Sequence, residues 1–300
     1  MKSYKGKTVL VTGASSGIGK AFAESLAEKG ANLIIVARSG DKLKEQASEL
    51  EKKYSVQVGV IVSDLSEPGS AKKIFQQTQT AGLSVDVLIN NAGFGKWGDF
   101  LEFDLEIYSS MLSLNINSLV ELCHLYLPEM VKKKDGGIIN VGSTASFVPV
   151  PYAAVYSASK AFVLYFSEAL YGEYNDKGVT VMTLCPGGTE SNFATDANSE
   201  IKVPKEAYES PMDVVNTALP AFLSNESYVI SGFKNYMSEI LPRFLPRKVV
   251  IQLVGNMWKK VTGKKGGFKS LEQELESKER AIKMIERVIK NPEPMQKKIV

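Results

Sequence analysis

Histidine is nearly absent from this chain of 300 residues, which has one, His124. Cysteine is scarce too: Cys123 and Cys185 are the only two, and both fall inside apolar runs. Without a Cys/His cluster at ligand spacing, a zinc site is not expected and no metal is assigned. Two such cysteines make no disulfide framework, so a reducing, cytoplasmic compartment is the expectation. His124, within NSLVELCHLYLPEM, reads as a packed or hydrogen-bonded side chain rather than a ligand. No run reaches the roughly 18 apolar residues that a spanning helix needs. The start, MKSYKGKTVLVTG, lacks a long apolar region, so a secretory leader is not expected. Acidic residues are missing from 240–271, where eight basic ones stand, although the net charge of the chain is only +3. That asymmetry sets the C-terminal part aside as functionally distinct.

With 44% hydrophobic residues the chain can bury a full core. Seven short β-rich runs are present: TVLVT (8–12), NLIIVA (32–37), QVGVIV (57–62), DVLIN (86–90), GIINVGS (137–143), VTVMTLC (179–185) and YVIS (228–231). Amphipathic stretches of helix length separate them, such as AFAESLAEKG at 21–30 with its terminal glycine stop. Strands that are apolar throughout, alternating with helices, predict a doubly wound parallel α/β sheet covered on both faces. The sheet domain is expected to end near residue 232, and TGKKGGFKS (262–270) is the best linker candidate beyond it.

The first strand runs directly into TGASSGIGKAF, which places Gly13, Gly17 and Gly19 at a strand-to-helix turn. A dinucleotide fold brings its backbone close to a pyrophosphate at that turn, and the amides of the next helix receive the anion. Tyr156 and Lys160 stand four apart in VYSASKAF, so a helix would set them on one face. A phenol beside an ammonium is a proton donor whose pKa a neighbouring charge can tune.

The glycine spacing is Gly-x-x-x-Gly-x-Gly, and further motifs follow in order: NNAG (90–93), LNINS (114–118), Ser143, YSASK (156–160) and PGG (186–188). From about residue 7 to 232 the chain thereby resembles the short-chain dehydrogenase/reductase family. Within it, PGGTESNF and YVISGFKNYM look like a broad bacterial branch of NADP-preferring members. The resemblance implies a Rossmann-type, seven-stranded catalytic domain over 1–232 with a helical C-terminal extension over 233–300. It implies an NADP(H)-dependent oxidoreductase that interconverts a ketone or aldehyde and an alcohol. Asn115, Ser143, Tyr156 and Lys160 match the family's catalytic positions, with Tyr156 as proton donor and acceptor. LNINS offers Asn117 as a rival to Asn115, because Ser118 replaces the glycine of the family pattern.

For the cofactor, the resemblance points to Gly13, Ser15, Ser16, Gly17, Ile18 and Gly19 at the turn. Asp64 would face the adenine, although capping the next helix is an alternative for it. Asn90 and Gly93 would line the floor and tie strands together, Tyr156 and Lys160 would stand on the ribose side, and Pro186, Gly187 and Thr189 by the carboxamide. Ala37 stands where NAD-preferring relatives carry an acid, so Arg38 is free to hold a 2′-phosphate through a charge-assisted fork. A binding protein that holds NADP(H) with little turnover is the alternative class. FGKWGDFLEF (94–103) and FVPVPYAAVY (147–156) favour a hydrophobic carbonyl: a fatty 3-oxoacyl thioester, a steroid-like ketone or a long-chain aldehyde. Assembly as a homodimer or homotetramer is expected through helices near 107–132 and 153–174. The basic segment 243–269 is read as a cleft cover, a subunit contact or a peripheral membrane contact, and nucleic acid is not expected.

Overall fold

The computed structural model describes residues 1–190 and 208–262. Residues 1–262 form one compact unit, so 233–262 belongs to the same unit as the sheet. The basic stretch 263–269 and the rest of the expected helical extension beyond it lie outside the described residues.

Among the described residues seven strands form: β1 (Thr8–Thr12), β2 (Asn32–Ala37), β3 (Val58–Val62), β4 (Val87–Asn90), β5 (Gly137–Val141), β6 (Thr180–Cys185) and β7 (Tyr228–Ile230). They make a single sheet in the order β3-β2-β1-β4-β5-β6-β7, with every pairing parallel. The first half of the sheet carries α1 (Gly17–Glu28), α2 (Gly40–Tyr54) and α3 (Ser70–Thr80). Next come α4 (Leu105–Leu112), α5 (Ser118–Lys133) and α6 (Ala154–Tyr174), with a π turn, Ser113–Asn117, between α4 and α5. The last described helices are α7 (Pro211–Leu223), α8 (Phe233–Ile240) and α9 (Arg247–Thr262).

The apolar runs explain the architecture. β4, β5 and β6 are buried at every position, as strands covered on both faces must be. One core layer joins α1, α2 and α7 to the sheet through Phe22, Leu26, Leu43 and Phe222. The opposite layer joins α3, α5 and α6 through Ile74, Leu122, Tyr126 and Val163. Helix starts follow local chemistry: at α7, Ser210 Oγ accepts the Asp213 amide at 3.1 Å and Pro211 opens the first turn. The chain order reverses between β1 and β4, and the carboxyl ends of these strands open a crevice there.

Two refinements of the sequence reading appear at the surface. His124 is exposed on α5 rather than packed, because that helix turns Leu122, Cys123 and Tyr126 to the sheet and leaves position 124 outside. On α6, Phe162 and Tyr165 are exposed, on one of the helices expected to pair subunits. No helix among the described residues is long and apolar enough to cross a membrane.

Two glycines test how closely the layers pack. A Cβ on Gly137 would stand 2.1 Å from the Thr180 carbonyl oxygen and 2.9 Å from the Phe222 ring. A Cβ on Gly172, in α6, would meet nothing within 4 Å. Gly137→Ala is expected to destabilise the chain by about 2–3 kcal/mol or more through overpacking. Gly172→Ala is expected to stabilise it by about 0.5–1 kcal/mol through helix propensity. Denaturant midpoints of the two variants should therefore move in opposite directions.

Candidate active site

A cleft of about 800 Å³ lies along the carboxyl ends of the strands. At one end is the turn after β1. Gly13 and Gly17 hold positive φ, at 64° and 52°, which glycine adopts without steric cost. Ser16 is extended and its side chain makes no capping bond to α1, so the first amides of α1 look for an acceptor outside the helix. Gly13, Ser15, Ser16, Gly17 and Ile18 line the cleft. Gly19 does not: it is the contact of α1 with the turn, where a Cβ would come within 2.3 Å of the Gly13 oxygen. This uncapped helix start, with glycines at 13 and 17 and serines at 15 and 16 around it, fits a dinucleotide pyrophosphate.

Arg38 and Asp64 flank the same end. The Arg38 side chain is 76% exposed, and its Nη1 lies 3.8 Å from Asp64 Oδ2. Burial alone would raise the Asp64 pKa, but hydrogen bonds from Ser66 and the Arg38 charge outweigh it and lower the value. Asp64 Oδ1 accepts from the Ser66 amide at 2.9 Å and from Ser66 Oγ at 2.6 Å, so it organises its own turn as well as facing the cleft.

The NNAG motif ties strands together as expected, Asn90 of β4 to Asn140 of β5, but Asn90 takes no part in the floor. As the last residue of β4 it points into the opposite layer, where its Nδ2 donates to Asn140 Oδ1 at 2.9 Å and to Cys123 Sγ at 3.3 Å. The next residue, Asn91, takes the cleft position. Its amide donates to Thr12 Oγ1 and its Nδ2 to the Thr12 carbonyl, each at 2.9 Å, which binds the loop after β4 to the end of β1. Alternation of side chains along a strand is the signal that would have separated the two asparagines. Gly93 lines the cleft, and a Cβ there would stand 2.9 Å from Asn115 Oδ1 and 3.5 Å from Lys160 Nζ.

Ser143, Tyr156 and Lys160 come together on the wall of the cleft. Ser143 follows β5 and is hydrogen-bonded to Tyr156, while its Oγ accepts from the Ala145 amide at 3.1 Å. Lys160, one turn along α6 from Tyr156, donates to the Val141 carbonyl at 2.8 Å. Its Nζ is 5.9 Å from the centroid of the Tyr156 ring. The expected lowering of the phenol pKa by the ammonium is not met in the chain alone. Burial pushes Tyr156 up to about 12, against a smaller lowering from the Ser143 hydrogen bond. Burial also pulls Lys160 down to about 8, which weakens the charge meant to do the tuning.

Of the two candidate asparagines, Asn115 is the buried one and Asn117 is exposed. The π turn carries Asn115 to Phe94, where it accepts from the amide at 3.1 Å and donates to the carbonyl at 3.0 Å. It also donates to Ser159 Oγ at 3.1 Å. A one-residue bulge in the helix thus ties it to the active-site loop. Pro186, Gly187 and Thr189 line the cleft beyond β6. Behind them stand two residues that sequence motifs did not flag: Asn235 packs on Gly187, and Glu209 Oε2 accepts from Asn235 Nδ2 at 3.1 Å. They are far along the chain from the PGG motif, so no spacing points to them. Among the described residues no His, Cys, Asp and Glu are grouped as a metal would require.

The profile of the short chain dehydrogenases matches residues 7–202. The chain belongs to that family. It is 33% identical over 255 residues to the very-long-chain 3-oxoacyl-CoA reductase of Rattus norvegicus, covering 82% of this chain and 79% of that protein. With the very-long-chain 3-oxoacyl-CoA reductase-B of Danio rerio it shares 36% over 264 residues, 85% and 81% of the two chains. Among solved structures it resembles a short-chain dehydrogenase from Sphingobium yanoikuyae in complex with NADPH, with a TM-score of 0.72, 29% identity, and 80% and 97% of the chains covered. A 7beta-hydroxysteroid dehydrogenase aligns with a TM-score of 0.76 and 27% identity over 84% and 97%. These curated relatives are vertebrate proteins, and the placement is made at the level of the family.

The buried lysine carries a pH signature. Its pKa is about 8 in the folded chain against 10.5 when unperturbed, so between these values the folded chain binds fewer protons than the unfolded one. Stability from this group therefore rises with pH across that window and is lowest below it. Tyr156 works the other way, but only above its unperturbed value of 10.0. Between about pH 7.5 and 9.5 the cofactor-free protein should gain about 1–2 kcal/mol more than Lys160→Met does. Parallel urea midpoints for the two proteins over that range would contradict the buried-lysine account.

Proposed function

We propose that this protein is an NADP(H)-dependent reductase of hydrophobic ketones, with long 3-oxoacyl thioesters as the substrate class. The observation that carries the reading is the shared cleft: the uncapped start of α1 and Arg38 at one end, Ser143, Tyr156 and Lys160 in the middle, apolar surface at the other. The curated relatives named for 3-oxoacyl-CoA reduction, and the solved relative that binds NADPH, support it.

The α1 amides would hold the pyrophosphate, and Arg38 the 2′-phosphate, since Ala37 brings no competing carboxylate. When bound, the nicotinamide supplies a hydride to the carbonyl carbon. Ser143 Oγ and Tyr156 Oη hold the carbonyl oxygen, where negative charge grows as the π bond opens. Tyr156 then gives its proton to that oxygen. Its pKa of about 12 keeps it protonated at neutral pH, which suits a donor to an alkoxide. Lys160 binds the ribose side and, with Asn115 across Gly93, offers the path by which the phenolate regains a proton.

Tyr156→Phe should lower kcat by roughly 10²–10⁴ while NADPH binding, read by fluorescence titration, stays near wild type. Full turnover in this variant over a panel of carbonyl compounds would remove the mechanism. A cofactor-binding protein without catalysis would instead show no turnover even before substitution. Arg38→Asp should cut the preference for NADPH over NADH by roughly ten- to a hundredfold, as loss of an arginine–phosphate contact implies. Equal preference before and after substitution would show that the 2′-phosphate is held elsewhere.

A further inference from the structure

The apolar end of the cleft is built around the only two tryptophans of the chain. Trp97, in the loop after β4, lies against the Tyr156 ring with centroids 5.1 Å apart and planes at 42°. Trp258, on α9, stacks on Trp97 at 6.2 Å and 28°. Both separations fall in the attractive range for aromatic pairs. Gly95 permits the inner contact, because a Cβ there would stand 2.8 Å from the Trp97 indole and 2.9 Å from the Tyr156 ring. The loop is held from behind by Gly98, whose amide donates to the Tyr152 carbonyl at 2.8 Å.

The helix α9 shows two apolar stripes at four-residue spacing. Val250 is buried, and Val254 and Trp258 pack on the cluster of Tyr108, Met111, Val150, Ala153 and Tyr156. The second stripe, Leu253 and Met257, stays 56% and 55% exposed. Met257 belongs to both regions, since it also lines the cleft. Apolar surface is thus continuous from the reacting position at Tyr156, past the stacked indoles, to the outer face of α9.

We propose that this surface is the tail subsite. The alkyl part of the substrate leaves the reacting carbon beside Tyr156, passes Trp97 and Trp258, and lies along Met257 and Leu253. Trp258 is then a specificity-determining residue, and α9 sets the chain length that the enzyme prefers. The carbonyl end of this inference rests on the reductase reading given above. An alkyl chain is the occupant that the cleft selects: the exposed apolar stripe of Leu253 and Met257 continues the cleft past the stacked indoles, with Lys96, the neighbour of Trp97, a charged lining residue there, while Arg38 and the start of α1 lie at the opposite end. Burial of each methylene on such a face raises affinity by up to about fourfold.

Two measurements test this. The first is the ratio of kcat/KM for a sixteen-carbon over a four-carbon 3-oxoacyl thioester. Leu253→Gln, at an exposed site that the fold tolerates, should lower this ratio by about tenfold, mainly through KM. Trp258→Ala should lower it further, and Trp258→Phe should recover most of the loss. An unchanged ratio in Leu253→Gln and Trp258→Ala, or an equal fall for both substrates, would overturn the proposal. The second measurement needs no turnover. Palmitoyl-CoA, which lacks the 3-oxo group, should change the tryptophan emission of the wild type, and acetyl-CoA should not. Trp97→Phe and Trp258→Phe should each remove part of that change.

If palmitoyl-CoA moves the emission but no carbonyl is ever reduced, the tail subsite stands and the reductase reading falls. If carbonyls are reduced without regard to chain length and the emission is still, the reverse holds. Should Leu253→Gln weaken co-sedimentation with anionic phosphatidylserine vesicles while leaving the chain-length ratio intact, the face belongs to a bilayer and the proposal is overturned.

Discussion

The site depends first on one close crossing of backbone. α1 begins so near the end of β1 that a single methyl at Gly19 would collide with the Gly13 carbonyl and with the Asn91 amide group. Asn91 in turn holds the Thr12 carbonyl from the loop after β4. This knot sits at the reversal of strand order, where β1 and β4 are neighbours but the chain departs in opposite directions. Because the side chains of Asn91 and Thr12 fasten it to main-chain groups, the uncapped helix start keeps a fixed aim. The glycine turn, the cleft floor and the loop that carries Trp97 all take their positions from it.

Burial then sets the chemistry. α6 brings Tyr156 and Lys160 to one face, but it brings them into the interior, where charge is expensive. The phenol becomes a weaker acid and the ammonium a stronger one than either is in water. The lysine reaches the Val141 carbonyl instead of the phenol. The cofactor-free protein is therefore poised with a protonated tyrosine and a readily discharged lysine, an arrangement in keeping with proton donation. Asn115, carried inward by the π turn, stands across Gly93 from the lysine and ties that helix to the loop at Phe94.

The cleft is graded along its length. Backbone amides and a guanidinium occupy one end, hydroxyls and an amine the middle, and two indoles with a methionine the other. The cleft thus runs from an end rich in donors to one lined mainly by aromatic and aliphatic side chains, with Lys96 beside Trp97. The C-terminal helices complete this grading rather than standing apart from it: Asn235 of α8 packs on Gly187, and Trp258 of α9 covers Trp97.

Much of this was legible in the sequence. Runs of apolar residues of strand length, broken by helical periodicity, determine a parallel sheet, because only strands covered on both faces are apolar at every position. The glycine turn and the Tyr156–Lys160 pair follow from local geometry, one helical turn or one strand end, and so are visible in spacing. Other features were decided only by tertiary structure, since they depend on which face of an element meets a distant one. Asn90 and Asn91 look alike in a motif, yet strand alternation sends the first to Asn140 and the second to Thr12. Asn115 and Asn117 differ only in that a π turn buries one of them. The pKa values of Tyr156 and Lys160 depend on burial, which no spacing measures. The apolar residues of α9 recur at helical spacing in the sequence, but their division into a half that packs on the active site and a half left open needed the partner surface, and that surface comes from residues about a hundred or more positions away.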